Sequence, residues 1–177
     1  MLSRTRLRAP TGERRPVRRE EAAIAPLRHL SVTSVVTAGA AGAAAVTAFM
    51  YAARWLAGVP LGAAVRWLGS ILGLGGSAAA AAGAIVLVIM AFLWALLYGR
   101  AGHHLPGEGI VQGIAYGVGV WLLSTVLLWP ALALLHPSSG TPGLFALGLA
   151  GVRGSVASLL AHGVYGAVIA RVLASRG

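Results

Sequence analysis

The chain of 177 residues contains no cysteine. That excludes disulfide frameworks, thiolate metal sites and cysteine nucleophiles together, and it leaves the redox compartment unread. Lysine is absent as well, so all 14 basic residues are arginine. Charge is scarce: 10% of residues are charged and 58% hydrophobic, against roughly 25% charged in ordinary soluble domains. So few charges cannot cover a soluble surface over so much apolar area. A lipid-facing exterior removes the difficulty, because the solvent is then itself apolar. Acidic residues are the scarcest: Glu13, Glu20, Glu21 and Glu108 are the complete set, and none lies in an apolar run.

The net charge of +10 could point to nucleic acid, but its distribution argues against it. Eight arginines (4, 6, 8, 14, 15, 18, 19 and 28) precede the first apolar run. A basic flank of this kind meets anionic lipid headgroups, at about 1 kcal/mol per residue near the surface. No aromatic-rich basic face suggests base stacking. The apolar run Ser31 to Ala53 exceeds a signal-peptide core of about 7–15 residues. The pairs Arg14-Arg15 and Arg18-Arg19 lack the apolar residues that follow a twin-arginine signal. The expectation is an uncleaved first span, with AAGAAAV leaving a cleavage site open.

Four segments can cross a hydrocarbon core of about 30 Å at about 1.5 Å per residue. They are read as spans at about 31–55, 78–98, 110–135 and 150–171. The alternating segments of about 10 residues that a barrel needs are missing. The expected fold is therefore all-α, a four-helix transmembrane bundle over residues 31–175, with residues 1–30 as a basic cytoplasmic tail without regular structure. With the amino end inside, the inner flanks hold the eight tail arginines plus Arg100, Arg171 and Arg176, and the outer side Arg54 and Arg66. This bias places both termini in the cytoplasm.

The 57–77 connection is too long for a tight turn and too apolar for a free loop. PLGAAVRWLGSILG sets Leu61, Val65, Leu68 and Leu72 on one side at helical spacing. It reads as a short outer-leaflet helix, interfacial or dipping in, with Trp67 suited to the headgroup region. A similar start at Thr141-Pro142 precedes the fourth span. Small residues recur every four positions in two spans: Gly109, Gly113 and Gly117 in the third, and Gly154, Ser158, His162, Gly166 and Ala170 in the fourth. Such stripes let helix backbones approach closely. Packing within the chain is the first reading, and the seam of a homo-oligomer the second.

TAFM (Thr47 to Met50), LLYGRAGHHLPGEGIVQGIAYGVGVWLL and LLAHGVYGAVIA together resemble small four-helix prokaryotic membrane proteins of unknown function, YagU-like inner-membrane proteins. The resemblance covers roughly residues 38–173. It implies a fold and an inner-membrane location, and carries no settled activity. It also implies a tandem repeat of two helix pairs at an offset of 80, in which Ala82 stands where the family's second helix has a histidine matching His162.

Ionisable groups inside a span are functional candidates because they are costly there. Arg153 reads either as an interfacial anchor, the favoured reading, or as a group on a substrate or proton path. His162 falls near mid-bundle, with Tyr165 beside it. Its imidazole could bond Ser124, Thr125, Thr47 or a tyrosine hydroxyl on a facing helix, or it could titrate as a switch. A proton relay wants further ionisable partners, and no span holds an acid. His103, His104 and Glu108 read as inner-loop surface rather than a metal site. No catalytic triad can be assembled without an acidic orienter, and GLGLGGS follows no strand, so a dinucleotide site is rejected.

The expectation is thus a non-enzymatic inner-membrane protein of structural or interaction role, without cofactor or metal. Its partners would be the bilayer, a second copy of itself, and no nucleic acid. The rival is a small transporter or channel subunit built on a polar strip of His162, Arg153, Ser155 and Gln112. A membrane enzyme comes third.

Overall fold

The computed structural model describes residues 31–136 and 143–175. The basic tail read at 1–30, the helix start read at Thr141-Pro142 and Arg176 lie outside the described residues. Helix α1 (Val32–Ala57) begins where Ser31 turns extended and its hydroxyl accepts the Ser34 N–H at 3.0 Å. It ends at Gly58, which adopts φ 65° and donates its N–H to the Arg54 carbonyl at 2.9 Å. A Cβ would be penalised in that left-handed cap, so glycine closes the helix.

After the short helix α2 (Ala63–Ile71), α3 (Gly76–Ala101) returns and passes through a 3-10 turn at Gly102–His104. The third crossing is composite: α4 (Gly109–Leu122), a π-helical segment (Leu123–Leu128) and α5 (Trp129–Leu135). The fourth is α6 (Leu147–Ala174), preceded by a 3-10 turn at Leu144–Ala146. Among the described residues, four helical stretches are long and apolar enough to cross a membrane: Val32–Ala57, Gly76–His104, Gly109–Leu135 and Ala150–Ala174. There is no strand among them. Hydrocarbon leaves backbone groups no water to bond, so helices that satisfy themselves are the answer expected there. The protein is an all-α, four-helix membrane bundle. In each half a long crossing is followed by a short helical piece and then a second crossing.

The π-helical segment has a local cause. The Trp129 N–H reaches the Ser124 carbonyl, five residues back. The next residue, Pro130, has no N–H to donate, and in a regular helix its ring would press on the carbonyl of Val126. The wide turn shifts the ladder just before that point. The Thr125 hydroxyl donates to the Trp121 carbonyl at 2.7 Å, giving a carbonyl at the edge of the widened turn a further partner.

Helix α6 packs between α4 and α1, and α1 between α6 and α3, while tyrosine side chains join α3 to α4. The main core joins Val35 and Ala38 of α1, Ala95 and Tyr98 of α3, and Tyr165, Ile169 and Ala170 of α6. The exterior is apolar as well: Ile85, Val88 and Ile89 of α3 are exposed, as a lipid solvent requires. Two ends can be distinguished. The proximal end carries the start of α1, the α3–α4 connection and the end of α6; the distal end carries α2 and the starts of α3 and α6.

Helix α2, the short helix expected in the 57–77 connection, is packed into the distal half, where Trp67 and Leu68 are buried with Ala133. Trp67 stacks on Trp129 with ring centroids 5.4 Å apart and planes 15° from parallel. Leu72, read on the same side as Leu68, is 59% exposed whereas Leu68 is buried. Two glycines decide the rotation. A Cβ on Gly69 would overlap the Ala79 carbonyl, and one on Gly83 would overlap that of Val65. Backbone contact of α2 with α3 at those points turns Trp67, rather than Leu72, toward the bundle.

Candidate functional site

The α4–α6 contact is built from Gly113 and Gly117 on one side and His162, Gly166 and Ala170 on the other. A Cβ on Gly113 would sit 2.6 Å from the Ala170 Cβ and 2.8 Å from the Gly166 carbonyl carbon. One on Gly117 would sit 2.6 Å from the His162 carbonyl carbon and 3.1 Å from the Gly163 nitrogen. One on Gly166 would sit 2.8 Å from the Gly113 carbonyl carbon and 2.9 Å from the Gly117 nitrogen. This is backbone against backbone, and it lies within the chain. Three expected members of the stripes stand outside it. Gly109 is exposed at the start of α4 with φ 55° and open space around it. Gly154 meets only the Ala150 side chain of its own helix. Ser158 is half-buried and contributes its carbonyl to His162.

His162 is placed differently from the expectation of a bond to a facing helix. Its Nδ1 lies 2.8 Å from the Ser158 carbonyl oxygen, one turn back on α6; since that oxygen only accepts, Nδ1 carries the proton. Two of the named partners, Thr47 and Thr125, are engaged elsewhere. The Thr47 hydroxyl donates to the Ala43 carbonyl at 2.8 Å and that of Thr125 to Trp121. Each finds a carbonyl of its own helix within reach, so neither has to cross to the histidine.

The side chains that do cross between helices are tyrosines, two of which sequence reasoning had not singled out. The buried Tyr165 hydroxyl donates to the Ala91 carbonyl of α3. The Tyr116 hydroxyl donates to the Trp94 carbonyl of α3 at 2.7 Å. Tyr98 donates to Gln112 Oε1 at 3.2 Å, and Gln112 Nε2 donates to the Leu105 carbonyl at 3.2 Å. The Tyr98 and Tyr116 rings meet edge to face, 5.1 Å apart. Tyr165 also explains a glycine missing from the stripes: a Cβ on Gly42 of α1 would sit 2.6 Å from its ring.

The polar strip of the rival reading does not assemble. Gln112 is bonded at the proximal end, and the Ser155 hydroxyl donates to the Phe145 carbonyl at the distal end. Arg153 is exposed one turn into the fourth crossing, about 5 Å along the helix. The distal end holds a further polar atom, the indole N–H of Trp121, which is buried without a partner among the described residues. Trp121 stacks on Phe145 at 5.5 Å, and Phe145 holds φ 55°, a conformation costly for an aromatic residue.

Arg153 lies at a groove of about 440 Å³ between the distal parts of α1 and α6. Phe49, Ala53 and Leu56 line it from α1, and Val156, Ala157 and Leu160 from α6. Among the described residues Arg153 has no hydrogen-bond or ion-pair partner. His103, His104 and Glu108 are exposed on the α3–α4 connection. Among the described residues no three His, Asp or Glu side chains gather as a metal site would require.

Four apolar crossings, held together by glycine contacts and tyrosine bonds, define a helical multi-pass membrane protein. Within that class the chain belongs to a family of unknown function, DUF6789, whose model matches residues 30–176. No curated protein and no solved structure matches it.

Proposed function

We propose that this is a non-enzymatic structural or interaction protein of a prokaryotic inner membrane, of the YagU-like kind its motifs resemble, with the proximal end and both termini in the cytoplasm. The arginine bias supports the orientation. With Arg153 counted at the distal end, that end carries Arg54, Arg66 and Arg153, while the other eleven arginines lie in the tail or at the proximal end. The tail at 1–30 meets anionic headgroups on that face. The observation that carries the functional reading is the state of His162. Its ring is tied to its own helix while its carbonyl forms part of the α4–α6 contact, which is the position of a packing residue. The partner is a second copy of the chain or another membrane protein, seated on the lipid-facing exterior.

The test is cross-linking in native membranes, followed by co-purification of tagged with untagged chain and by proton and cation flux in proteoliposomes. Capture of a defined partner with no flux supports the reading. A flux that vanishes in His162→Ala, with the variant normally inserted, overturns it in favour of transport.

A further inference from the structure

We infer that the groove between α1 and α6 is a binding site for an anionic phospholipid, with the headgroup phosphate on Arg153 and an acyl chain along the apolar walls. The inference requires only that the four helices cross a membrane, and not the structural role proposed above.

The first argument is the shape and chemistry of the walls. Alanines at 52, 53, 57 and 157 leave a concavity between two helices that are bulky farther along, and Phe49, Leu56, Val156 and Leu160 supply its flanks. The volume of about 440 Å³ falls in the range of about 300–1,000 Å³ typical of small-molecule sites. A groove of this composition on the outside of a membrane bundle is open to acyl chains.

The second argument is charge. Arg153 stands at the groove and has no bonded partner among the described residues. No carboxylate can reach it from the neighbouring sequence, because the chain holds no Asp or Glu from 22 to 107 or after Glu108. Glu108 sits on the proximal connection, at the other end of the bundle. A guanidinium near the rim of a bilayer seeks an anion, and its planar fork suits phosphate oxygens in pairs. Lying one turn into the crossing, it is placed where a lipid phosphate is found when the chain below it fills the groove. Arg54 and Arg66 share the distal end but do not line the groove, so they offer an internal comparison.

The experiment is native mass spectrometry of the full chain released from micelles doped with equal amounts of phosphatidylglycerol and phosphatidylcholine. The wild type is expected to retain one phosphatidylglycerol in preference to phosphatidylcholine. Arg153→Gln is expected to bind phosphatidylglycerol about tenfold more weakly, the loss of one charge-assisted contact. Arg153→Lys should keep part of the preference. Ala52→Leu fills the groove from an exposed position and should reduce retention of both lipids. Arg54→Gln and Arg66→Gln should leave binding unchanged. The inference is overturned by equal retention of the two lipids in the wild type, by Arg153→Gln binding like the wild type, or by an equal loss in Arg54→Gln, which would mean diffuse attraction to the end of the bundle. A dimer that excludes lipid from Ala52 and Val156 would also overturn it, since the occupant would then be a second copy.

Discussion

Alanine at Gly117 is the sharpest test of the α4–α6 contact. The new Cβ would lie 2.6 Å from the His162 carbonyl carbon, and real Cβ atoms essentially never come within 3.0 Å of a neighbour. The obstacle is backbone, so no side chain can swing aside, and α4 must part from α6 on the order of an ångström. Overpacking of this kind costs about 2 kcal/mol. Gly113→Ala meets the Ala170 Cβ at 2.6 Å and should cost about the same. One displacement relieves both clashes, so the double variant should lose about 2–3 kcal/mol rather than the sum of about 4. Gly119, on the same helix with nothing within 4 Å, is the control. Alanine there should be neutral or gain up to about 1 kcal/mol from helix propensity. The assay is unfolding by SDS titration in mixed micelles, followed by far-ultraviolet circular dichroism. The reasoning fails if Gly117→Ala is as stable as Gly119→Ala, or if the double variant loses the full sum.

Three further outcomes can be read in the same assay. Tyr165→Phe, which removes the bond to the Ala91 carbonyl, should cost about 1 kcal/mol, whereas Tyr51→Phe, at a residue 58% exposed, should change nothing measurable. His162→Ala should lose about 1 kcal/mol with its hydrogen bond to Ser158, while ion flux in liposomes stays at background between about pH 5 and 8, the window in which a histidine switch would show. Trp67→Ala should cost about 3 kcal/mol by emptying the stack on Trp129 and should expose a cysteine placed at Ser70 to thiol reagents. Leu72→Ala, on the exposed side of α2, should do neither.

The helical class was legible because a bilayer imposes length and apolarity on every crossing, and the runs from Ser31, Ala78 and Ile110 announce themselves on those terms. Which face of a helix turns inward was far less legible. In lipid the outside is as apolar as the inside, so periodicity loses the contrast that makes it informative in water. Helix α2 shows the cost: Leu72 and Trp67 are both acceptable to lipid and to protein, and the choice fell to glycines 69 and 83 in contact with backbone. The small-residue stripes located the α4–α6 contact but not its ends. Gly109 serves a left-handed start, and Gly154 faces its own preceding turn. The partner of His162 was missed because an intrahelical carbonyl is always at hand, and no pattern of residues reports when a side chain prefers it. Tyr98 and Tyr116 gave no periodic signal at all.

The position of α1 between α6 and α3 has a consequence for how the molecule is made. The amino-terminal crossing is rich in alanine and glycine and less apolar than α3, so lipid holds it comparatively weakly. Its small-residue face, at Gly39 and Gly42, waits for Phe92 of α3 and for Tyr165 and Ile169 of α6. Of the four crossings, synthesis delivers α6 after the other three. The first crossing, less apolar than α3, therefore waits for its neighbour α6 until the other crossings have been made, and its docking there is a long-range step.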